Sequence, residues 1–479
     1  MAVERFLNCR IFVCFKISIM FSSQIYINRR AQLRKNLGSG LILLPGHVDA
    51  AFNYPANQYL FRQDSTFLYF FGLDHPGLAA VMDLDSGEDW IFGNDVDMDD
   101  IIWMGVLPTI AELSAQVGVT HTAPYAGLGQ MIAKAVSQKR EIHFTPPYRG
   151  ETKLELERLT KIPAADLKTK ASVSLIKSVV ALRSIKDQHE IAEIEKAIDT
   201  AYLMHTTAMK MAIPGTWEQE IAGTIEGIAL AHGGPVSFPV ILSMNGQTLH
   251  NHDHSQILQS GRMMVVDAGC ETSLHYASDL TRTVPVGLKF NERQKAVYEA
   301  VLQANMKATQ AIKPGILYKD VHLYSAEVMV DALKAIGLMK GHTGDAVTAG
   351  AHALFFPHGL GHMMGLDVHD MENLGQNYVG YDEEIQPASQ FGLSFLRLAR
   401  RLQPGFVLTV EPGCYFIPAL IDQWKAEGLH TGFINYAEVE KYKDFGGIRI
   451  EDDVLVTATG HRVLGKAVPK TVGEIENLR

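Results

Sequence analysis

Four acidic residues of this chain share one kind of setting. Asp267 ends the apolar run MMVVD and Glu411 ends FVLTVE, and a glycine turn follows each, so each carboxylate emerges from a hydrophobic layer. Asp279, in YASDLTRT, and Glu451, in GGIRIEDDVLV, each come after a hairpin. A buried carboxylate without a partner is costly. Four that converge repel one another strongly unless cations lie between them. The remaining donor lies in HGLGHMMGLDVHD, residues 358–370, which contains His358, His362 and His369. Its i, i+4 histidine pair lacks the Glu of a zinc-binding helix, and Gly359, Gly361 and Gly365 oppose helix, so the segment reads as loop or strand. Four acids and one imidazole are a hard, oxygen-rich donor set, better suited to two Mn²⁺ or similar ions than to a structural zinc. Two ions about 3.5 to 4 Å apart can acidify water and polarise a carbonyl together, which is hydrolytic machinery.

An internal repeat positions these residues. LQSGRMMVVDAGC (258–270) and LQPGFVLTVEPGC (402–414) lie 144 residues apart and match at six of thirteen positions, with Asp267 answering Glu411. Upstream, AIPGTWEQEI at Ala212 and IKPGILYKDV at Ile312 each follow a long amphipathic pattern. Two related α/β halves bring equivalent strand ends together about a pseudo-two-fold axis. A capping box of Ser184 and Asp187 is expected to start the first helix of this region, with Ile191, Ile194, Ile198, Ala201, Met204, Ala208 and Met211 at helical spacing. Before it, GLILLPG, FLYFFGLDHPG, LAAVMDLDSG and DWIFG read as strands, while 109–117 and 127–136 have helical spacing. The expected organisation is an extension over 1–21, an α/β domain over 22–175 and a second domain over 184–470.

At 479 residues the chain exceeds one core, and 47% hydrophobic with 20% charged residues is an ordinary globular mix that excludes disorder. A net charge of −10, without a long basic run, argues against nucleic acid as a partner. The apolar stretch 1–21 is interrupted by Arg10 and Lys16, and no small-residue cleavage site follows. It reads as a dispensable extension, with Met20 as a working start, rather than an export signal. No other run approaches the ~20 apolar residues of a membrane span, so no membrane partner is expected. Cys9, Cys14, Cys270 and Cys414 are too scattered for a disulfide framework and fit a reducing cytoplasm.

In this order, the motifs D-A-G, S-D-L-T-R-T, H-G-L-G-H, V-E-P-G and R-I-E-D resemble those of the pita-bread metallopeptidases, most closely the proline-specific branch of Xaa-Pro aminopeptidase (aminopeptidase P) and Xaa-Pro dipeptidase (prolidase). FRQDSTFLYFFGLDHPG resembles the non-catalytic domain of that branch. The resemblance implies a creatinase/prolidase-like α/β domain followed by a pita-bread α+β catalytic domain. It implies that Asp267 chelates one metal ion, that His362 and Glu411 bind the other, and that Asp279 and Glu451 bridge both. His250 and His369 would contact substrate and stabilise the transition state, Glu411 would relay a proton, and His358 would line the proline side of the cleft. The step of twelve residues from Asp267 to Asp279 is one longer than the family's usual spacing, which places an extra residue in the hairpin loop CETSLHYA. Arg397, fourteen residues before Glu411, matches the prolidase arginine that meets a free carboxylate, whereas the spacing from His250 to Asp267 resembles aminopeptidase P. Trp103, in DDIIWMG, resembles a tryptophan that closes a neighbouring subunit's cleft; an ordinary core tryptophan is the alternative.

The implied activity is hydrolysis of the N-terminal bond of peptides with proline at the second position, by a homo-oligomer, dimer or tetramer, in the cytoplasm. Aminopeptidase is placed first and dipeptidase second. A non-catalytic binding protein on the same fold is a third reading, which the intact ligand set disfavours. His250, His252 and His254 are expected on one face of a strand, the last two solvated. Cys270 and Cys414 are expected as small packing residues.

Overall fold

The structure is a computed structural model and describes residues 20–478. Residues 1–19 of the expected extension lie outside the described residues. Met20 and Phe21, at the end of that extension, pack against the core, and the Phe21 ring lies 5.8 Å from Tyr276. Among the described residues no helix is long and apolar enough to cross a membrane.

The N-terminal part is built on a five-stranded sheet in the order His121–Ala123, Asp89–Phe92, Ala79–Asp83, Leu41–Pro45 and Ile142–His143. Its central pairs are antiparallel and its outer pairs parallel. The continuous apolar runs LILL and AAVM are buried, as expected where a sheet is covered on both faces. FLYFF is not the strand expected of it. Ser65–Phe71 is a helix with every residue buried, and a short run that is apolar all round gives no period to read. Its ends carry the signal instead: the Asp64 side chain accepts from Phe67 N–H, and Gly72 closes the helix at φ 63°.

The C-terminal part realises the repeat. Val173–Ser184 leads into Gln188–Met211, which Asp187 and Glu190 cap, so Ser184 ends one helix rather than starting the next. In the first half Gln188–Met211 and Glu218–Ala231 precede the antiparallel strands Ile241–Ser243, Met263–Ala268 and Leu280–Pro285. In the second, Glu292–Ala311 and Tyr318–Ala335 precede Val407–Val410 and Asp452–Val456. Equivalent hydrogen bonds recur: Gly215 N–H donates to the Leu258 carbonyl at 2.9 Å, and Gly315 N–H to the Leu402 carbonyl at 2.8 Å. The bridge of Trp217 with Ile257 is likewise matched by Leu317 with Arg401.

The two parts meet through charged groups that grip the segments bearing the candidate site. Arg62 donates to both carboxylate oxygens of Glu271, at 3.2 and 3.1 Å from Nε, and from Nη2 to the Leu366 carbonyl at 2.6 Å. Within the hairpin loop, His275 sits at φ 65° and places Nδ1 2.6 Å from Glu271 and Nε2 2.8 Å from Asp74. Facing a carboxylate on each nitrogen, the ring donates twice, as an imidazolium. Burial alone would lower its pKa, and Arg62 also opposes the charge, but the hydrogen bonds to Asp74 and Glu271 outweigh both and raise it above 6.5.

That sign fixes a pH dependence. The pairing contributes fully below the unfolded value of 6.5 and is lost as pH rises through the higher folded value. His275→Gln is expected to cost on the order of 1 kcal/mol at about pH 5.5 and less at about pH 8.5. Thermal melts at the two pH values check this; equal losses would show that the charge is idle.

Candidate functional site

The strand pairs bring the four acids together. Asp267 lies in Met263–Ala268 opposite Thr281, and Asp279 directly precedes that partner strand. Glu411 follows Val407–Val410, and Glu451 lies between Gly447–Arg449 and Asp452–Val456. The segment 358–370 is a loop whose one bridge joins Met363 to Leu408. Gly361 makes that approach possible, because a Cβ there would lie 2.1 Å from the Thr409 carbonyl oxygen. His362 N–H then donates to Thr409 Oγ1 at 3.1 Å, and Thr409 N–H to the His362 carbonyl at 3.0 Å.

Asp279, His362 and Glu451, all buried, offer ligand atoms within 4.8 Å of one another. His362 Nε2 lies 3.4 Å from Asp279 Oδ2 and 3.7 Å from Glu411 Oε1. Its Nδ1 is 3.0 Å from the Met363 carbonyl and must donate there, which leaves the Nε2 lone pair for a cation. Asp267 Oδ1 and Asp279 Oδ1 are buried with no hydrogen-bond partner. Burial, then the charges of Glu451 and Asp267, hold the Asp279 carboxyl well above its ordinary range, and burial with Glu411 and Asp267 does the same to Glu451. Glu411 is pushed up to about 7 by burial and Asp267, against the pull of Arg449. Burial, reinforced by His369, drives His362 well below 6.5. Orphaned oxygens, destabilised carboxylates and an unprotonated imidazole share one remedy, so these residues fit divalent metal.

Arg449 is a candidate site residue that sequence reasoning missed. It is buried, donates from Nη2 to Asp267 Oδ2 at 2.7 Å and from Nε to Thr281 Oγ1 at 3.1 Å, while Thr281 donates to Glu451 Oε2 at 2.6 Å. Its Nη1 reaches the Tyr415 hydroxyl at 2.9 Å, which in turn lies 2.8 Å from His358 Nε2. The signal was the i, i+2 spacing of Arg449 and Glu451 along an extended segment, which puts both side chains on one side.

The cleft has two adjoining lobes of about 260 and 380 Å³ that share His250, Asp267, His362, Arg397 and Glu411. The first adds Asp279, Glu451, His369 and an apolar wall of Phe238 and Pro239; the second adds His358, Phe391 and Phe395. Burial and the nearby Arg449 lower the pKa of both His250 and His358, the latter to about 3. The strand expected over 250–254 is absent: the polar segment is irregular, His252 is exposed at the cleft wall, and His254 Nδ1 lies 3.1 Å from the Leu242 carbonyl rather than being simply solvated. Cys270 and Cys414 are buried, as expected. Trp103 does not line the cleft of its own chain, nor is it a core residue. It is 86% exposed on Met98–Met104, a helix that buries none of its residues.

Residues 192–458 match the model of metallopeptidase family M24, and residues 26–143 match that of the aminopeptidase P N-terminal domain. Together with the metal-fitting cleft, that match makes the chain a member of the M24 metallopeptidases. It is 32% identical to a human Xaa-Pro dipeptidase over 459 residues, covering 93% of this chain and 90% of that protein. It is 30% identical to a probable Xaa-Pro aminopeptidase of Metarhizium acridum over 441 residues, covering 91% of this chain and 84% of the relative. The structure of Escherichia coli aminopeptidase P with the inhibitor Pro-Leu superposes with a TM-score of 0.78 at 28% identity, over 96% of this chain and 98% of that one.

Because the acids repel one another without a cation, removing one charge should help the metal-free protein. Asp279→Asn is expected to raise the melting temperature of the chelator-treated form and to lose the stabilisation that metal gives the wild type, which is about 2.7 kcal/mol at one hundred times Kd. Melts with and without Mn²⁺ test this. A variant that keeps the metal-induced rise would remove Asp279 from the ligand set.

Proposed function

We propose that the protein is a dinuclear Xaa-Pro aminopeptidase that hydrolyses the bond before a proline at the second position of a peptide. The observation that carries this reading is the convergence of Asp279, His362 and Glu451 in a cleft also lined by Asp267 and Glu411. Asp267 would hold one ion, His362 and Glu411 the other, and Asp279 and Glu451 both. Four carboxylates against the guanidinium of Arg449 leave three negative charges. One divalent ion keeps that set anionic, whereas two bring it to a single positive charge, which suits a carbonyl oxygen gaining negative charge. Mn²⁺ fits the oxygen-rich donors. Bound there, the ions supply Lewis acidity toward water and the scissile carbonyl.

The chain's own residues do the rest. His250 and His369, which line the first lobe, would donate to the developing oxyanion. Glu411 takes a proton from the attacking water and passes it to the prolyl nitrogen, which must gain one to leave as a secondary amine. His358, beside the aromatic wall of the second lobe, lines the proline side. Proline's missing N–H and fixed φ defeat ordinary peptide alignment, which is why a shaped pocket is needed. Exposed Trp103, with Met98 and Ile102 each 69% exposed beside it, supports assembly into a dimer or tetramer in which one subunit's helix reaches a neighbour's cleft. The scattered cysteines support a cytoplasmic location. A dipeptidase is the second reading, favoured by Arg397 in the cleft.

Metal-reconstituted protein should cleave Xaa-Pro-Yaa peptides and lose that activity on chelation; turnover in a metal-free sample would exclude the mechanism. If Arg397 reads a free carboxylate, Arg397→Ala should raise KM for Xaa-Pro by ~10- to 100-fold and leave longer peptides nearly unchanged. Trp103→Ala should shift the oligomer toward monomer in sedimentation and alter length preference without unfolding the protein. A fully active wild-type monomer would defeat the subunit argument.

A further inference from the structure

Glu372 is a charged group of the cleft region that the chemistry above leaves unused, and it touches two residues that the chemistry employs. Its Oε2 lies 2.5 Å from Nδ1 of His369 and 3.4 Å from Nε of Arg397. Among the described residues it is the one carboxylate within ion-pair distance of either side chain. The turn that presents it is firmly held. Asp370 is buried between Arg183 and Lys186 at 2.6 and 2.7 Å, and Met371, fully buried, takes φ 65°. A non-glycine residue adopts that conformation only where its surroundings impose it.

Two consequences follow from this placement. With Nδ1–H committed to Glu372, Nε2 of His369 is the nitrogen left for the cleft, where it donates to the oxyanion once it has taken up a proton. The charge of Arg397 is also partly spent, so a substrate carboxylate that reaches it must share the guanidinium with a second carboxylate, and the two repel. A peptide continuing past proline presents a neutral amide there and meets no such repulsion. We propose that Glu372 is a positioning and specificity-determining residue, which orients His369 and biases the cleft against a free carboxylate directly after proline, in favour of longer peptides. This rests on the Xaa-Pro reading of the site.

The test compares Xaa-Pro with Xaa-Pro amide, which differ in the charge at one group, on metal-reconstituted wild type, Glu372→Gln and Glu372→Ala. Gln keeps an acceptor for His369 but no charge. In Glu372→Gln the ratio of kcat/KM for Xaa-Pro over the amide should rise about 5- to 20-fold, through KM for Xaa-Pro, a modest effect because both partners are partly exposed. Glu372→Ala should keep the raised ratio and also lose about tenfold in kcat on both substrates, since His369 loses its acceptor. In an Arg397→Ala background, Glu372→Gln should no longer move the ratio. An unchanged or lowered ratio in Glu372→Gln, at full metal content and unaltered melting temperature, overturns the proposal. Metal-loaded wild type that cleaves neither these substrates nor a tripeptide would instead overturn the peptidase reading, and this inference with it.

Discussion

Like charges held close together in a buried cleft are the constraint on which this structure depends. Asp267 and Glu411 close hydrophobic runs, Asp279 and Glu451 stand at the ends of neighbouring strands, and two of the four acids' oxygens have no hydrogen-bond partner. No arrangement of neutral neighbours relieves that, because hydrogen bonds to a carboxylate do not remove its repulsion of the next one. Among the described residues one buried guanidinium, that of Arg449, pairs with these four acids, and it is spent on Asp267. The remaining imbalance favours a cation there. Binding of one would be linked to the stability of the fold.

The pseudo-two-fold repeat explains where the acids come from, and departures from it explain why they differ. Equivalent strands deliver Asp267 and Glu411, yet Pro214 and Leu258 are 44 residues apart while Pro314 and Leu402 are 88 apart. The longer second connection carries the 358–370 loop, Glu372 and Arg397. Symmetry thus accounts for the candidate oxygen ligands. The candidate imidazole ligand, the residue that touches His369 and the cleft cation all come from the stretch that breaks it.

How much was legible follows the same division. Repetition exposed Asp267 and Glu411, because acids that end apolar strands and recur in register converge about the repeat axis, and motif order exposed Asp279, His362 and Glu451. Arg449 escaped notice because a lone Arg in a strand is ordinary until its burial against Asp267 is known. Glu372 escaped for the same reason, since its partners are set by the turn at Met371 and not by a pattern of spacing. FLYFF reads as a strand because seven consecutive buried residues erase the period that separates helix from strand. The histidines at 250 to 254 alternate like a strand, but alternation in a polar stretch carries no drive to pair.

The N-terminal part contributes none of the candidate ligands, yet it bears on their precision. A loop containing Gly359, Gly361 and Gly365 has much conformational freedom to lose, and His362 and His369 can act only if that freedom is removed. One side of the loop is fixed by the Thr409 hydrogen bonds to His362. The other side is fixed from the N-terminal part, where Arg62 holds the Leu366 carbonyl and Ser65 donates to Asp367 at 2.5 Å. Arg183 then joins Asp367 to buried Asp370, one residue from His369. Arg62 also grips Glu271, in the hairpin between Asp267 and Asp279. A single guanidinium therefore restrains both segments that present the donors, and domain docking and site geometry become one cooperative event.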